Sequence, residues 1–85
     1  MSLLLIMKHY IVYSRSDCHL CDVMKDSLTR LNTHYTFSFS NVDIDANSEL
    51  VHQYGFFVPV LTLDGDTICH YELDEAAFKT SLALE

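Results

Sequence analysis

The chain has 85 residues, and twelve acidic side chains against five basic ones give it a formal net charge of −7. A chain this short buries only roughly 60–65% of its unfolded surface, and we predict that residues 1–85 form a single domain. The lack of a basic surplus excludes a nucleic-acid binder, and two glycines exclude a glycine-rich phosphate loop. Three cysteines are too few for the disulfide framework of a small secreted module.

The charge is distributed unevenly along the chain. Residues 1–35 have a balance of +1, whereas residues 36–85 carry nine acidic groups against Lys79 alone, a balance of −8. The simplest interpretation is that these acidic residues form a well-solvated surface with no functional role. If the acidic surplus borders a substrate groove instead, it favours neutral or basic partners over anionic ones.

The first predicted strand covers His9–Ser14, whose continuous apolar and aromatic character suits a central strand buried on both faces. The apolar run Leu3–Met7 precedes it and is expected to continue into this strand. That run is too short to cross a bilayer, and no positive segment precedes it as in a signal peptide. We therefore expect a cytoplasmic protein that engages no membrane.

The first predicted helix follows a polar break, Ser14–Asp17, which offers several N-cap residues. Its apolar residues recur at helical spacing, so we expect one core-facing stripe on a helix that ends near Asn32. The residues of this stripe are Leu20, Val23, Met24, Leu28 and Leu31.

Aromatic residues alternate with small polar ones in the next segment, which is the period of a β-strand. The alternating aromatic residues, interpreted as core, are Tyr35, Phe37 and Phe39. Val42 and Ile44 then fall on the opposite parity. Either the strand carries a bulge near positions 40–41, or only one of its two halves is the core strand.

Four further elements are predicted after residue 46. Asn47 or Ser48 can cap a short helix that Gly55 ends. A strand over Val58–Leu63 then leads into Asp64-Gly65, a strong signal for a hairpin turn of type I′.

The hairpin returns in a strand over Thr67–Glu72, and Asp74 is the predicted N-cap of a final helix. The resulting order of elements is β-α-β-(α)-β-β-α. One βαβ unit followed by a hairpin and a helix predicts an α/β fold, with a four-stranded mixed sheet flanked by helices.

Cys18-His19-Leu20-Cys21 is the most informative stretch, because it lies where the first strand leads into the first helix. Cys18 is placed at the helix N-terminus, where free N–H groups and the positive end of the dipole stabilise a thiolate. Cysteines three apart on a helical turn face the same way, at a separation compatible with a disulfide. Cys18 can therefore attack a disulfide, and Cys21 can resolve the mixed disulfide that forms.

Two other interpretations of these cysteines exist. They can be small buried apolar residues, although a strand-to-helix junction is a poor place to bury thiols. They can also be half of a zinc site completed by Cys69 and His70. Adjacent residues on a strand point to opposite faces, so Cys69 and His70 can hardly bind one ion, and Cys69 is then a lone strand thiol.

The chain resembles a glutaredoxin, and more closely the small glutaredoxin-like proteins of the thioredoxin superfamily. The resemblance rests on Tyr13–Cys21, on Val58–Leu61, and on the hairpin and final helix that follow, and it covers about residues 8–84. It implies a thioredoxin fold and a thiol-disulfide oxidoreductase that reduces the disulfides of proteins or small molecules.

The resemblance also implies roles for particular residues. Cys18 would be the nucleophile, Cys21 the resolving thiol, and Pro59 a cis-proline that faces them. The Val58 backbone would pair with the substrate as an added strand, and Arg15 matches a basic residue that commonly assists glutathione binding. No bound cofactor or metal is implied; glutathione or a thioredoxin-type reductase would be the electron donor, and we expect a monomer.

The chain departs from typical glutaredoxins at two places. The pair between the cysteines is His19-Leu20 rather than Pro-Tyr or a similar pair. The Gly-Gly turn after the last strand is missing, and only Asp74 or Glu75 can replace the acidic residue that grips the γ-glutamyl end of glutathione. If the acidic half of the chain borders the substrate groove, it also disfavours anionic glutathione.

Two functions of other classes remain open. The domain can be a non-enzymatic module that docks a partner peptide at Val58-Pro59, or two chains can share a metal or iron–sulfur cluster through Cys18. The second cysteine of the motif, Cys21, favours the enzyme over the cluster carrier. Superfamily relatives sometimes place a buried carboxylate near the redox pair, which makes Asp43 a further candidate.

Overall fold

A computed structural model describes residues 7–83, in which four strands and three helices follow one another in the predicted order. The elements are β1 (His9–Ser14), α1 (His19–Leu31), β2 (Ser38–Asp43), α2 (Ser48–Tyr54), β3 (Val60–Leu63), β4 (Asp66–His70) and α3 (Glu75–Ala83). The sheet order is β2-β1-β3-β4, with β1 parallel to β2 and antiparallel to β3, and β3 antiparallel to β4. The predicted α/β class with a four-stranded mixed sheet is confirmed.

The central strand β1 has the predicted bounds and lies between β2 and β3. Tyr10 and Val12 are fully buried on one face. On the other face Tyr13 stacks on Tyr54 of α2, with ring centroids 4.3 Å apart. Of the predicted extension of this strand, Leu3–Ile6 lies outside the described residues, and Met7 precedes β1 with its side chain exposed.

Helix α1 ends at Asn32 as predicted, but its N-cap and its buried face differ from the prediction. The N-cap is Cys18 rather than a residue of the polar break before it. The buried side chains are Cys21, Met24 and Leu28, which recur at helical spacing. Leu20 and Val23, expected in the core, lie on a neighbouring face and remain 41% and 44% exposed.

Strand β2 pairs with β1 in a continuous register, so the bulge considered near positions 40–41 is absent within the described sheet. Phe37 is buried just before the strand begins, whereas Tyr35 is exposed and is not a core residue. The change of parity has another cause, because the chain leaves β2 for a single 3₁₀ turn over Ile44–Ala46 that buries Ile44.

The turns after β2 are built as their residues predict. Asn47 caps α2, since its Oδ1 accepts hydrogen bonds from the N–H groups of Glu49 (2.8 Å) and Leu50 (3.2 Å). The hairpin residues Asp64 and Gly65 have φ of 52° and 86°, the positive values that a type I′ turn requires.

The last two strands are shorter than predicted. Strand β3 begins at Val60, after the cis peptide bond between Val58 and Pro59. Strand β4 ends at His70 rather than Glu72, because the next residue, Tyr71, adopts φ +66° and turns the chain away from the sheet. The predicted cap of α3 is confirmed, since Asp74 Oδ1 accepts a hydrogen bond from the Ala77 N–H at 3.0 Å.

One hydrophobic core joins α1 and α3 to one face of the sheet, and α2 covers part of the other face. The core residues are Tyr10, Val12, Met24, Leu28, Phe37, Leu61 and Phe78. The Tyr10 and Phe78 rings lie 5.1 Å apart, and Tyr10 Oη hydrogen-bonds Ser81 Oγ at 2.7 Å inside the core. None of the helices within residues 7–83 is long and apolar enough to cross a membrane.

The strand directions bring several loops to one end of the sheet. The register aligns Tyr13 of β1 with Val60 of β3, and Val60 with His70 of β4. The turn after β1, the proline before β3 and the turn after β4 therefore meet at the same end. The Asp64-Gly65 hairpin lies at the opposite end.

Candidate redox site

Cys18 and Cys21 are joined as a disulfide at the junction of β1 and α1, with Cα atoms 5.2 Å apart. A three-residue turn, Arg15–Asp17, connects the end of β1 to Cys18, and Asp17 adopts φ +54° within it. Cys18 then occupies the N-cap position, which confirms its predicted place at the helix N-terminus.

The two cysteines differ in accessibility. Cys21 is fully buried beneath the first turn of α1, whereas Cys18 is partly exposed. The backbone N–H of Cys21 donates a hydrogen bond to Cys18 Sγ at 3.1 Å. A donor of this kind and the helix N-terminus both favour a negative charge on Cys18 when the disulfide is reduced. The accessible sulfur can meet a substrate, and the buried one lies behind it.

Pro59 lies at the same end of the sheet as the cysteines, and its peptide bond with Val58 is cis, as the resemblance implied. Pro59 is buried, and Val58 is partly exposed. Among residues 7–83, the loop and turn hydrogen bonds include none to the backbone groups of Val58. The backbone N–H and C=O of Val58 are therefore left without a hydrogen-bond partner within this loop.

Arg15 is held by a carboxylate that the sequence analysis did not pair with it. Asp45 accepts hydrogen bonds from Arg15 Nη2 at 2.6 Å and from Nε at 3.2 Å. The Arg15 guanidinium lowers the pKa of Asp45 below its ordinary value, and the same pairing raises the pKa of Arg15. Asp45 follows β2, so the parallel pairing of β1 and β2 is what brings the two together.

Asp43 does not lie in a buried pocket beside the redox pair, so this candidate is wrong. Its carboxylate is exposed and caps the 3₁₀ turn, with Oδ1 accepting a hydrogen bond from the Asp45 N–H at 2.9 Å. An aspartate at the end of β2 satisfies a free backbone N–H in this way.

The interpretation that added Cys69 and His70 to a zinc site finds no support in the geometry. Cys69 packs against the core and burial raises the pKa of its thiol, whereas the His70 ring contacts Phe57 with ring centroids 5.6 Å apart. Within residues 7–83 no three His, Cys, Asp or Glu side chains are grouped so that they could hold a metal ion.

Tyr71 is a residue of the site that the sequence analysis missed. Its N–H donates to Pro59 O at 2.9 Å and its Oη–H donates to Phe56 O at 2.8 Å, while the Glu72 N–H closes a tight turn onto His70 O at 2.8 Å. Tyrosine rarely adopts φ +66°, so sequence patterns gave no reason to place a turn there. Tyr71 therefore ties the end of β4 to both sides of the cis-proline loop.

Large apolar side chains remain exposed at this end of the molecule. Phe56 is 88% exposed, and Phe57 and Tyr71 are about half exposed. The sequence signal for this patch was the aromatic pair between Gly55 and Val58, in a loop rather than in a strand or helix.

A disulfide at the start of a helix, at the same end of a four-stranded mixed sheet as a cis-proline, is typical of the thioredoxin-like class of small proteins. Within that class the chain belongs to the glutaredoxin-like domain family (DUF836), whose model matches residues 9–83.

Similar proteins support the same assignment. The solution structure of protein Ne2328 from Nitrosomonas europaea is 33% identical and superposes with a TM-score of 0.86, covering 98% of this chain and 100% of that one. The X-ray structure of target protein XcR50 from X. campestris is 30% identical, with a TM-score of 0.67 and coverage of 86% and 93%. The uncharacterized protein Rv0508 of Mycobacterium tuberculosis is 27% identical over an alignment of 75 residues, and the match covers 82% of this chain and 77% of that protein.

Proposed function

We propose that this protein is a thiol-disulfide oxidoreductase in which Cys18 is the nucleophile and Cys21 the resolving thiol. The observation that carries the proposal is the pairing of an accessible Cys18 at a helix N-terminus with a buried Cys21 in bonding contact behind it. A pair held only for packing would bury both sulfurs.

The proposed reaction moves two electrons from the protein to the substrate. The Cys18 thiolate attacks one sulfur of a substrate disulfide, forms a mixed disulfide, and releases the other substrate sulfur as a thiolate that takes a proton. Cys21, once deprotonated, attacks Cys18 Sγ, closes the disulfide between them, and releases the second substrate thiol. An external thiol reductant, either glutathione or a dithiol reductase that uses a nicotinamide cofactor, restores the dithiol.

The proposal uses the edge beside Pro59 to hold the substrate. The unpaired backbone groups of Val58 would bind an extended segment of substrate as an added strand. Arg15 would assist an anionic substrate only after release from Asp45. On this proposal the protein needs no bound cofactor or metal, acts as a monomer, and works in the cytoplasm, where thiol reductants are available.

The proposal is tested with single cysteine variants in a disulfide-reduction assay, run with glutathione and with a dithiol reductase as separate donors. We expect Cys18→Ser to lose activity, and Cys21→Ser to accumulate a mixed disulfide with substrate. Cys69→Ser is the matched control and keeps wild-type activity, since Cys69 packs in the sheet. Full activity in Cys18→Ser would refute the mechanism.

The same proteins separate the two functions of other classes. A non-enzymatic docking module predicts equal binding of a partner peptide by wild type and by the Cys18→Ser/Cys21→Ser variant, with no reduction by either. A cluster carrier predicts iron and visible absorbance after anaerobic purification, lost in Cys18→Ser.

A further inference from the structure

A shallow groove of about 260 Å³ lies between α1 and the turn that follows β4. Residues that line it include Leu20, Val23, Ser27, Tyr71, Glu72 and Leu73. Leu20 stands between the two cysteines in the chain, so the groove begins at the redox site. It continues along α1, because Leu20, Val23 and Ser27 follow one another at helical spacing.

The walls of this groove are apolar although they face solvent. Leu20, Val23 and Tyr71 are 41%, 44% and 43% exposed. The core is already filled by other residues of α1, so these side chains add little to the packing of the domain. A contiguous exposed apolar surface of this kind marks a binding site more often than an isolated exposed residue does.

Two carboxylates line the groove, and that of Glu75 is paired with Lys79 at 3.6 Å, so Glu72 carries the unbalanced negative charge. Within residues 7–83 no ion pair involves Glu72, and no basic side chain is among the residues that line the groove. Across the site, the charge of Arg15 is matched by Asp45. The groove therefore complements an apolar side chain accompanied by a positive charge.

The groove wall is also held in place before any ligand arrives. Tyr71 is fixed by the hydrogen bonds of its N–H to Pro59 and of its Oη to Phe56. A wall that is already ordered loses little entropy on binding, which favours a specific ligand.

We infer that this groove selects polypeptide disulfides in which the cysteine is flanked by a large apolar side chain and by Lys or Arg, in preference to glutathione disulfide. The apolar side chain lies against Leu20, Val23 and Tyr71, and the basic residue lies near Glu72. The inference rests on the proposed function and adds the substrate class.

The test uses symmetrical disulfides of short synthetic peptides that differ at the two residues beside cysteine. One residue is Phe or Ser, the other is Lys or Glu, and oxidised glutathione is the anionic reference. The second-order rate constant of the reduced protein is measured at pH 7 for each. Each value is divided by the rate constant of dithiothreitol with the same peptide, which removes differences in the reactivity of the disulfide itself.

We expect the Phe peptide to react about five- to tenfold faster than the Ser peptide, as partial burial of one aromatic side chain predicts. The Lys peptide should exceed the Glu peptide at low salt, with the ratio falling towards one in about 1 M salt. Val23→Ser should reduce the Phe/Ser ratio, and Glu72→Gln the Lys/Glu ratio. Both positions are exposed, so the fold is retained.

Matched controls come from the opposite end of the sheet. Met7→Ser removes an exposed apolar side chain and Asp66→Asn an exposed carboxylate, and both should keep the wild-type ratios. Equal wild-type rates for all peptides, or ratios unchanged in Val23→Ser and Glu72→Gln, would overturn the groove inference alone. Rates no higher than those of Cys18→Ser on every disulfide would overturn the proposed function as well.

A second copy of the chain is the competing occupant. Sedimentation velocity on wild type and Val23→Ser distinguishes it. A dimer that Val23→Ser dissociates would show that the groove is a contact between copies, which overturns the inference. A monomer in both samples supports it.

Discussion

Arg15 shows how one neighbour changes what a residue offers to a substrate. By sequence it matches a glutathione-assisting position, yet in the fold its guanidinium donates to both oxygens of Asp45. The pair is exposed to solvent, so it contributes little to stability. On the proposed function its effect would be on recognition, because a guanidinium whose charge is balanced by Asp45 attracts the carboxylates of glutathione less strongly.

Asp45→Asn should therefore increase the reactivity of the protein towards oxidised glutathione. Removing the carboxylate frees the Arg15 guanidinium, and we expect the KM for oxidised glutathione to fall about two- to fivefold, in line with the gain of one exposed ion pair. Steady-state kinetics at low salt measure it. The double variant Arg15→Gln/Asp45→Asn should lose the decrease in KM, and the control Asp66→Asn should not show it. An unchanged KM in Asp45→Asn would contradict the conclusion that Asp45 limits the interaction of Arg15 with glutathione.

The contribution of the Arg15–Asp45 pair to stability depends on pH. The pKa of Asp45 is lower in the folded protein than in the unfolded chain, because Arg15 hydrogen-bonds its carboxylate. The folded state therefore takes up this proton less readily. Any stabilisation of the fold by this pair is fully present above the ordinary aspartate pKa of about 3.9. It is lost as the pH falls through the lower pKa that Asp45 has in the folded state.

At the level of the helices and strands, the caps of α2 and α3 and the hairpin turn were the most predictable features. Asn47, Asp64-Gly65 and Asp74 act through hydrogen bonds or backbone angles within a few residues, and such local chemistry can be read from a single segment. The orientation of α1 was less predictable. Leu20 and Val23 belong to the same apolar stripe as Met24, and which of these side chains are buried depends on how α1 packs on the sheet.

The parts of the site that were missed depend on contacts between distant segments. Asp45 meets Arg15 only because β1 and β2 are parallel and in a particular register. Tyr71 ends β4 early because bonds to Pro59 and Phe56 hold it at a positive φ. Cys18, Cys21 and the cis bond before Pro59 were predictable, because a motif of known chemistry and a family resemblance both pointed to them.

The cap of α2 provides a test at this scale. Asn47→Ala removes the side-chain acceptor of the Glu49 and Leu50 N–H groups, and should lower the free energy of unfolding by about 1 kcal/mol. Asn47→Asp should restore most of it, because aspartate is an equally good N-cap. Urea denaturation followed by circular dichroism measures both. A loss as large in Asn47→Asp as in Asn47→Ala would show that the cap is not the cause.

Over the whole molecule, stability comes from one core shared by the sheet, α1 and α3. A domain of this size buries a modest fraction of its surface, so each core residue matters more than in a larger protein. Loss of packing at one position should therefore destabilise the whole domain, and unfolding should be cooperative.

Two substitutions of the same kind on α1 test this dependence. Leu28→Ala should lower the free energy of unfolding by about 2–5 kcal/mol, because Leu28 is fully buried in the core. Leu20→Ala is the matched control and should cost well under half as much, since Leu20 is 41% exposed and lies outside the core. Thermal unfolding, followed by tyrosine fluorescence and by circular dichroism, measures both. Equal losses would contradict the burial of Leu28 as the cause.

The hydrogen bond from the Cys21 N–H to Cys18 Sγ links the folding of α1 to the electrochemistry of the site. A thiolate accepts that bond more strongly than a sulfur in a disulfide does, so the first turn of the helix is firmest when the protein is reduced. By thermodynamic linkage, the helix that favours the thiolate also raises the midpoint potential of the pair. On the proposed mechanism, the N-cap position increases the fraction of Cys18 present as the attacking thiolate near neutral pH, while making the dithiol a weaker reductant.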